Sequence, residues 1–168
     1  KIKFSAKYKI LCAKYRPGHF EGVLGVINQY LKKILINNIY LGEKDYQQLF
    51  LIKRHVKKKF VVNVIPCKTV RYNNKRAYSS RNKLLTNNDL KKLDDISSLL
   101  IKFKRSIKSK FINIKKLNNI KNKIKKLGVN VEYFEIRNKL NLSKKFSKSN
   151  FKIFIAYYVK KVRIIDNF

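Results

Sequence analysis

The chain has 168 residues, 45% of them hydrophobic, with 42 Lys+Arg against 9 Asp+Glu and a formal net charge of +33. That apolar share is what a globular core needs, so a disordered basic tail is excluded, and the length suits one domain or two small ones. No apolar run reaches the ~20 residues of a membrane helix, the start lacks a secretory apolar region, and Cys12 and Cys67 make neither a metal pattern nor a disulfide framework, so a reducing cytoplasm is the expected compartment.

Arg16-Pro17-Gly18-His19-Phe20 reads as a tight turn before a helix, with His19 either lining a site or capping and packing. Residues 20–36 set Val23, Leu24, Ile27, Leu31, Ile34 and Leu35 at helical spacing. Ile39 to Leu41 is a short apolar strand stopped by Gly42. The helical period then returns, with Tyr46, Leu49, Ile52 and Val56 on one side. Residues 60–65, FVVNVI, are short and β-branched, the content of a buried strand. Residues 68–82 read as strand, turn at Asn73-Asn74, strand end and loop. Alternation of helix and strand over 1–83 predicts a parallel α/β sheet.

The remainder, 84–168, has a different pattern. Thr86 with Asp89 resembles a capping box, Asp standing where Glu or Gln is usual. The helix it opens carries Leu90, Leu93, Ile96, Leu99, Leu100 and Phe103 on its apolar stripe. A second helix spans about 113–127 and ends at Gly128, a C-cap. Strands follow at 130–137, 152–159 and 162–166, with 140–150 a polar connector. Two helices and then three strands predict a small α+β domain with an antiparallel sheet.

Two stretches carry candidate chemistry. Gly42-Glu43-Lys44-Asp45 lies between a strand and a helix, where open α/β sheets bind ligands. There a glycine admits close backbone approach, Lys44 can meet a phosphate, and Gln48 shares a helical face with Lys44 and offers both a donor and an acceptor. The plainer alternative is a helix start whose dipole favours Glu43 and Asp45. Tyr78-Ser79-Ser80-Arg81-Asn82 sets two hydroxyls and a guanidinium in a row, suited to phosphate oxygens and equally ordinary in a loop. His55, among basic neighbours, reads as a surface residue.

The charge suggests a nucleic-acid-binding or ribosome-associated protein, and that is the second reading. Against it, only eight of the bases are arginine and 34 are lysine, and they spread along the whole chain. Nucleic-acid sites exploit the arginine fork. Lys, Asn, Ile, Phe and Tyr are also the residues of A/T-rich codons, so coding bias alone yields this balance.

In order, RPGHFEGV from Arg16, YLGEKDYQQL from Tyr40, KTVR from Lys68, AYSSRN from Ala77 and the ending FKIFIAYYVKKVRIIDNF resemble the pantothenate synthetase (pantoate–β-alanine ligase) family, from about Leu11 to Phe168. The resemblance implies a partial Rossmann-like nucleotide-binding domain of nucleotidyltransferase type over 1–83 and a C-terminal α+β domain over 84–168. It implies an ATP- and Mg2+-dependent ligase that joins pantoate to β-alanine through pantoyl adenylate, with release of pyrophosphate and then AMP. Lys44 matches the lysine that meets ATP phosphates. Gly42, Glu43 and Asp45 match the rest of that turn. Val70 matches a position against adenine, and Tyr78, Ser79, Ser80 and Arg81 match the second nucleotide loop. Gln48 matches a pantoate-holding glutamine, and Arg16 and His19 match the turn bordering the pocket. A homodimer is implied for the full-length enzyme.

The departures are as informative. Lys68 stands where the family has Pro, Arg76 where it has an apolar residue, and Tyr78 where it has Leu or Met. Asn74-Lys75 replaces Asp-Gly, and the turn is expected to survive because Asn tolerates positive φ. The His-x-Gly-His segment and a second pantoate glutamine are absent, and the chain contains no Met. A C-terminal portion that does not catalyse adenylation alone is therefore expected, with an open, aggregation-prone sheet edge.

Overall fold

Residues 2–107 and 114–168 are described by the structure, a computed structural model that divides into two compact units, Lys1–Thr69 and Val70–Phe168. The first unit runs through α1 (Cys12–Tyr15), α2 (His19–Lys33), β1 (Asn38–Gly42), a 3-10 turn (Glu43–Asp45), α3 (Tyr46–Lys59) and β2 (Asn63–Cys67). Strands β1 and β2 pair in parallel, from Asn38 opposite Asn63 to Gly42 opposite Cys67, with α3 as the crossover. A parallel pair needs such a crossover, which is why the alternating pattern was diagnostic. Helix α3 buries Leu49, Phe50, Leu51, Ile52 and Val56, and α2 contributes Phe20, Leu24 and Leu31. At roughly 1.5–3 kcal/mol per buried large apolar side chain, these residues dominate the unit's stability.

Some boundaries differ from the sequence reading. Helix α2 stops at Lys33, and Ile34 turns extended (φ −121°, ψ 123°), so Ile34, Leu35 and Ile36 lie exposed beyond it. Strand β2 starts at Asn63 rather than Phe60, and Val61 is fully exposed. A strand does form there, but pairing with β1 fixes its register three residues later, and none of its residues is buried, against the buried strand expected. His55 is half-buried rather than a surface residue, with its Nε2 3.2 Å from Asn28 Oδ1. Burial, then the charge of Lys59, holds its pKa below the ordinary imidazole value.

The second unit holds a hairpin around Arg71 and Ala77, a 3-10 turn (Ser80–Leu84), α4 (Asn87–Ser106), α5 (Ile114–Lys125), β3 (Asn130–Asn138), β4 (Phe151–Val159) and β5 (Val162–Asn167). The three strands form an antiparallel sheet in the order β3-β4-β5. The helix expected over about 113–127 includes residue 113, which lies outside the described residues. Gly128 follows α5 at φ +74°, the left-handed value that favours glycine at a helix end. One core joins Leu93, Ile96, Leu100 and Phe103 of α4 to Ile153, Ile155, Tyr157 and Val159 of β4, the central strand.

Thr86 caps α4 as anticipated: its Oγ1 accepts from the Asp89 N–H at 3.3 Å and donates to Asp89 Oδ2 at 2.8 Å. Asp89 is buried and also takes Lys160 Nζ at 2.8 Å and Lys92 Nζ at 3.3 Å. The Lys160 bond, then those from Thr86 and Lys92, hold its carboxyl far below the usual carboxylate range, against the opposing effect of burial.

Candidate active site

In the first unit, Gly42 ends β1, Glu43–Asp45 make the 3-10 turn, and α3 begins at Tyr46. The parallel strand's carboxyl end thus delivers the chain straight to a helix N-terminus. Gly42 has an ordinary extended backbone (φ −67°, ψ 132°), and a side-chain carbon added there would meet nothing within 4 Å. The glycine is therefore not required by its dihedrals; it keeps the space beside the turn open. Asp45 occupies the N-cap position of α3 without a side-chain capping bond, an acidic residue at the positive helix end as the plainer account has it. Lys44 and Gln48, one helical turn apart, are both half-buried. The phenol of Tyr46 is pushed up, by burial first and then by Glu43. Backbone N–H groups, a positive helix end and Lys44 make this turn chemically able to hold phosphate oxygens.

The neighbouring glutamine has another task. Gln47 is buried; its Nε2 donates to Tyr8 O at 3.1 Å and Ile10 O at 2.7 Å, and its Oε1 accepts from Ala13 N at 3.4 Å. It fastens the chain before α2 to α3, which leaves Gln48 as the member of the pair available to a ligand. Gly18, N-cap of α2, sits at φ +79°, where only glycine is comfortable. Arg16 Nη1 donates to His19 Nε2 at 2.9 Å, so that nitrogen is the acceptor and the ring's proton is on Nδ1.

In the second unit the hairpin closes through Tyr78 N to Val70 O at 3.0 Å, Tyr72 N to Arg76 O at 3.0 Å and Lys75 N to Tyr72 O at 2.8 Å. The turn survives, but the positive φ falls on Lys75 (+78°) and not on Asn74. Alternation puts Val70, Tyr72, Arg76 and Tyr78 on one face, where Val70 and Tyr78 are exposed. The Tyr72 and Tyr78 rings stack at 3.7 Å and 15°, and the Arg76 guanidinium lies 4.2 Å from the Tyr72 ring centroid. Arg76 also holds Asp94 through contacts of 2.9 and 2.8 Å. The two departures at 76 and 78 are thus parts of one stacked assembly. Ser79 caps the following 3-10 turn by accepting from Arg81 N at 3.3 Å, and buried Asn82 donates to Ala77 O at 3.1 Å. These bonds shape the loop and leave Ser80 exposed and Arg81 half-buried.

On the hairpin's other face, Arg71 makes a contact that local sequence reasoning missed. Its two terminal nitrogens each reach Asp166 at 2.8 Å, one also reaches Asn167 O at 2.9 Å, and its carbon lies 4.5 Å from the Phe168 ring centroid. The loop is therefore tied to the last strand, the pairing that joins residues 70–83 to the C-terminal unit. Among the described residues, no three His, Cys, Asp or Glu side chains gather in a way that could hold a metal ion, and no helix is long and apolar enough to cross a membrane.

A family model described as Pantoate-beta-alanine ligase matches residues 1–168. Curated pantothenate synthetases of Francisella tularensis subsp. mediasiatica (strain FSC147) and subsp. novicida (strain U112) are 40% identical over 160 residues, covering 95% of this chain and 53% of theirs. The crystal structure of the Francisella tularensis pantoate-beta-alanine ligase, complexed with Beta-gamma ATP and Beta-alanine, superposes with TM-score 0.78 at 38% identity, covering 99% of this chain and 57% of that one. Pantothenate synthetase from Thermus thermophilus gives TM-score 0.86 at 25% identity, over 99% and 62%. The chain spans about half the length of the curated relatives it matches.

Proposed function

We propose that this chain, which belongs to the pantoate–β-alanine ligase family, carries part of the machinery that activates pantoate with ATP and joins it to β-alanine. The observation that carries the reading is the β1–turn–α3 junction: Gly42 and Lys44 stand at the carboxyl end of a parallel strand and the start of a helix, within a chain matched by the family over its whole length. In this reading, residues 1–83 serve ATP and pantoate. Lys44 neutralises the charge that builds on the phosphates during adenylation. The Gly42–Asp45 turn approaches the nucleotide, and Gln48 donates to and accepts from pantoate. Val70 and Tyr78 meet the adenine, and Ser79, Ser80 and Arg81 bond phosphate or ribose oxygens. Arg16 and His19 border the pantoate pocket.

The chemistry is written as two transfers. A pantoate carboxylate oxygen attacks the ATP α-phosphorus and pyrophosphate leaves, giving pantoyl adenylate. The β-alanine amine then attacks the acyl carbon and AMP leaves, giving pantothenate; the amine loses its proton in forming the amide. Mg2+ belongs with the triphosphate as part of the substrate, since such ions commonly sit on substrate phosphates and keep several waters. The cytoplasm and a homodimer of the full-length enzyme complete the proposal.

The 168 residues contain His19 and His55 and no His-x-Gly-His. We infer that they bind ATP without catalysing adenylation by themselves. Equilibrium titration with a non-hydrolysable ATP analogue, beside a pantoate-dependent ATP–pyrophosphate exchange assay, tests both parts. Saturable binding without exchange is expected. No binding overturns the site, and exchange overturns the claim of inactivity.

A further inference from the structure

A second concave site lies within the first unit, built from different residues. A cavity of about 280 Å³ opens between the segment Lys3–Tyr8 and one face of α3. Leu51, Arg54, His55 and Lys58, at i, i+3, i+4 and i+7, form the α3 wall, and Lys3 and Lys7 come from the facing segment. Buried Leu24 and Leu51 line it. Four cationic side chains and the His55 imidazole line this space, and no Asp or Glu is among the described residues that line it.

A lysine-rich surface scatters cations everywhere, but two of these, Lys7 and Arg54, are held against aromatic rings. The facing segment is fixed by Tyr8, which is buried and packs edge-on against Phe50 with centroids 5.0 Å apart. Gln47 grips Tyr8 O and Ile10 O behind it. Arg54 is placed by aromatic rings, its guanidinium carbon 5.4 Å from the Tyr8 centroid and 5.5 Å from that of Phe50. Lys7 Nζ lies 5.1 Å from the same Tyr8 centroid. One ring therefore positions two cations, and like charges gathered in a concave wall repel unless an anion lies between them. The volume, just below the ~300–1,000 Å³ typical of ligand pockets, suits a compact molecule rather than a strand of nucleic acid.

We propose that this cavity, bounded by Lys3, Lys7, Arg54, His55 and Lys58, is a binding site for a small phosphate-bearing anion, separate from the Lys44 turn. The test is calorimetric titration of inorganic pyrophosphate at fixed ionic strength into the full chain carrying Lys44→Gln and Arg81→Gln, which removes the two cations of the proposed ATP site. Saturable binding is expected to persist there. It should weaken about tenfold on adding Lys7→Gln or Lys58→Gln, the worth of one charge-assisted hydrogen bond. Both lysines are exposed, so neither change threatens the fold. Arg54→Lys, which keeps the charge and loses the planar fork, should weaken it severalfold. Absence of saturation in the Lys44/Arg81 background overturns the proposal. So does equal weakening by the charge-matched single change Lys123→Gln on α5. Failure of ATP-analogue binding with pyrophosphate binding intact would fault the ATP site alone.

Discussion

Replacing Asp166 with Asn tests whether the hairpin and loop of residues 70–83 are anchored by the C-terminal strand. The Asp166 side chain is 7% exposed and that of Arg71 is 20% exposed, and the pair shares two contacts of 2.8 Å. Breaking a fully buried pair costs roughly 3–5 kcal/mol, and an exposed pair is worth about 0–1 kcal/mol. Arg71 keeps some access to water and its bond to Asn167 O, and Asn preserves size and one acceptor. About 2 kcal/mol is therefore expected for Asp166→Asn, between those two limits. For a unit of this size that is a fall in Tm of roughly 8–16 °C. Thermal unfolding followed by tyrosine near-ultraviolet dichroism reads the effect. A double-mutant cycle with Arg71→Gln should return a coupling above about 1 kcal/mol. A Tm change below about 2 °C, or no coupling, would refute the anchoring argument.

Other changes probe separate links. Lys75→Gly should stabilise the chain by about 0.5–1 kcal/mol, because Lys75 sits at φ +78° and glycine enters that region without a side-chain clash; urea unfolding measures it. Gln47→Leu should cost about 2–4 kcal/mol by leaving Tyr8 O and Ile10 O without their donor, and hydrogen exchange should rise first at the α1 amides such as Ala13 N–H. Asp89 has a depressed folded pKa, so the unfolded chain binds more protons between that value and about 4. Its stabilisation is present above about pH 4 and is lost as pH falls through the folded value. Acid titration of Asp89→Asn should have a shallower slope in that range than the parent chain, and identical slopes would count against the Lys160–Asp89–Thr86 cluster.

Periodicity carried most of the fold. The stripe Leu93, Ile96, Leu100 and Phe103 is the buried face of α4, and the three late strands pair as an antiparallel sheet. Local pattern could not reach two kinds of fact. Strand register is set by partners: β2 begins at Asn63 because Asn38 lies opposite it, although the apolar run starts at Phe60. Side-chain roles of neighbours are set by which way each points: Gln47 is consumed inside the unit while Gln48 stays accessible. At the hairpin, Arg76 and Tyr78 each look like an isolated oddity in sequence. Their shared contact with Tyr72 makes them interdependent, so restoring either alone to an apolar residue would strip the stack of a partner.

The same geometry bears on the meaning of the charge. Arginine's fork is the group best suited to phosphates, so its placement is more telling than the total of +33. Four of the eight arginines are engaged by carboxylates within the second unit: Arg71 by Asp166, Arg76 by Asp94, Arg137 by Glu135 and Arg163 by Glu132. Arg16 is turned to His19. Four of the nine acids are thus spent on structural arginines and buried Asp89 on Lys92 and Lys160, while solvated lysines elsewhere need no such partner. A polyanion-binding surface would demand the opposite allocation, with forks exposed and lysines in support. Of the other three, Arg105 is exposed in the last turn of α4, while Arg54, held by aromatic rings beside a cavity without carboxylates, and Arg81, in the loop after Tyr78, have surroundings that suit an anion. On the proposed reading, phosphate recognition falls to small, local sites, and the rest of the charge is a property of the surface.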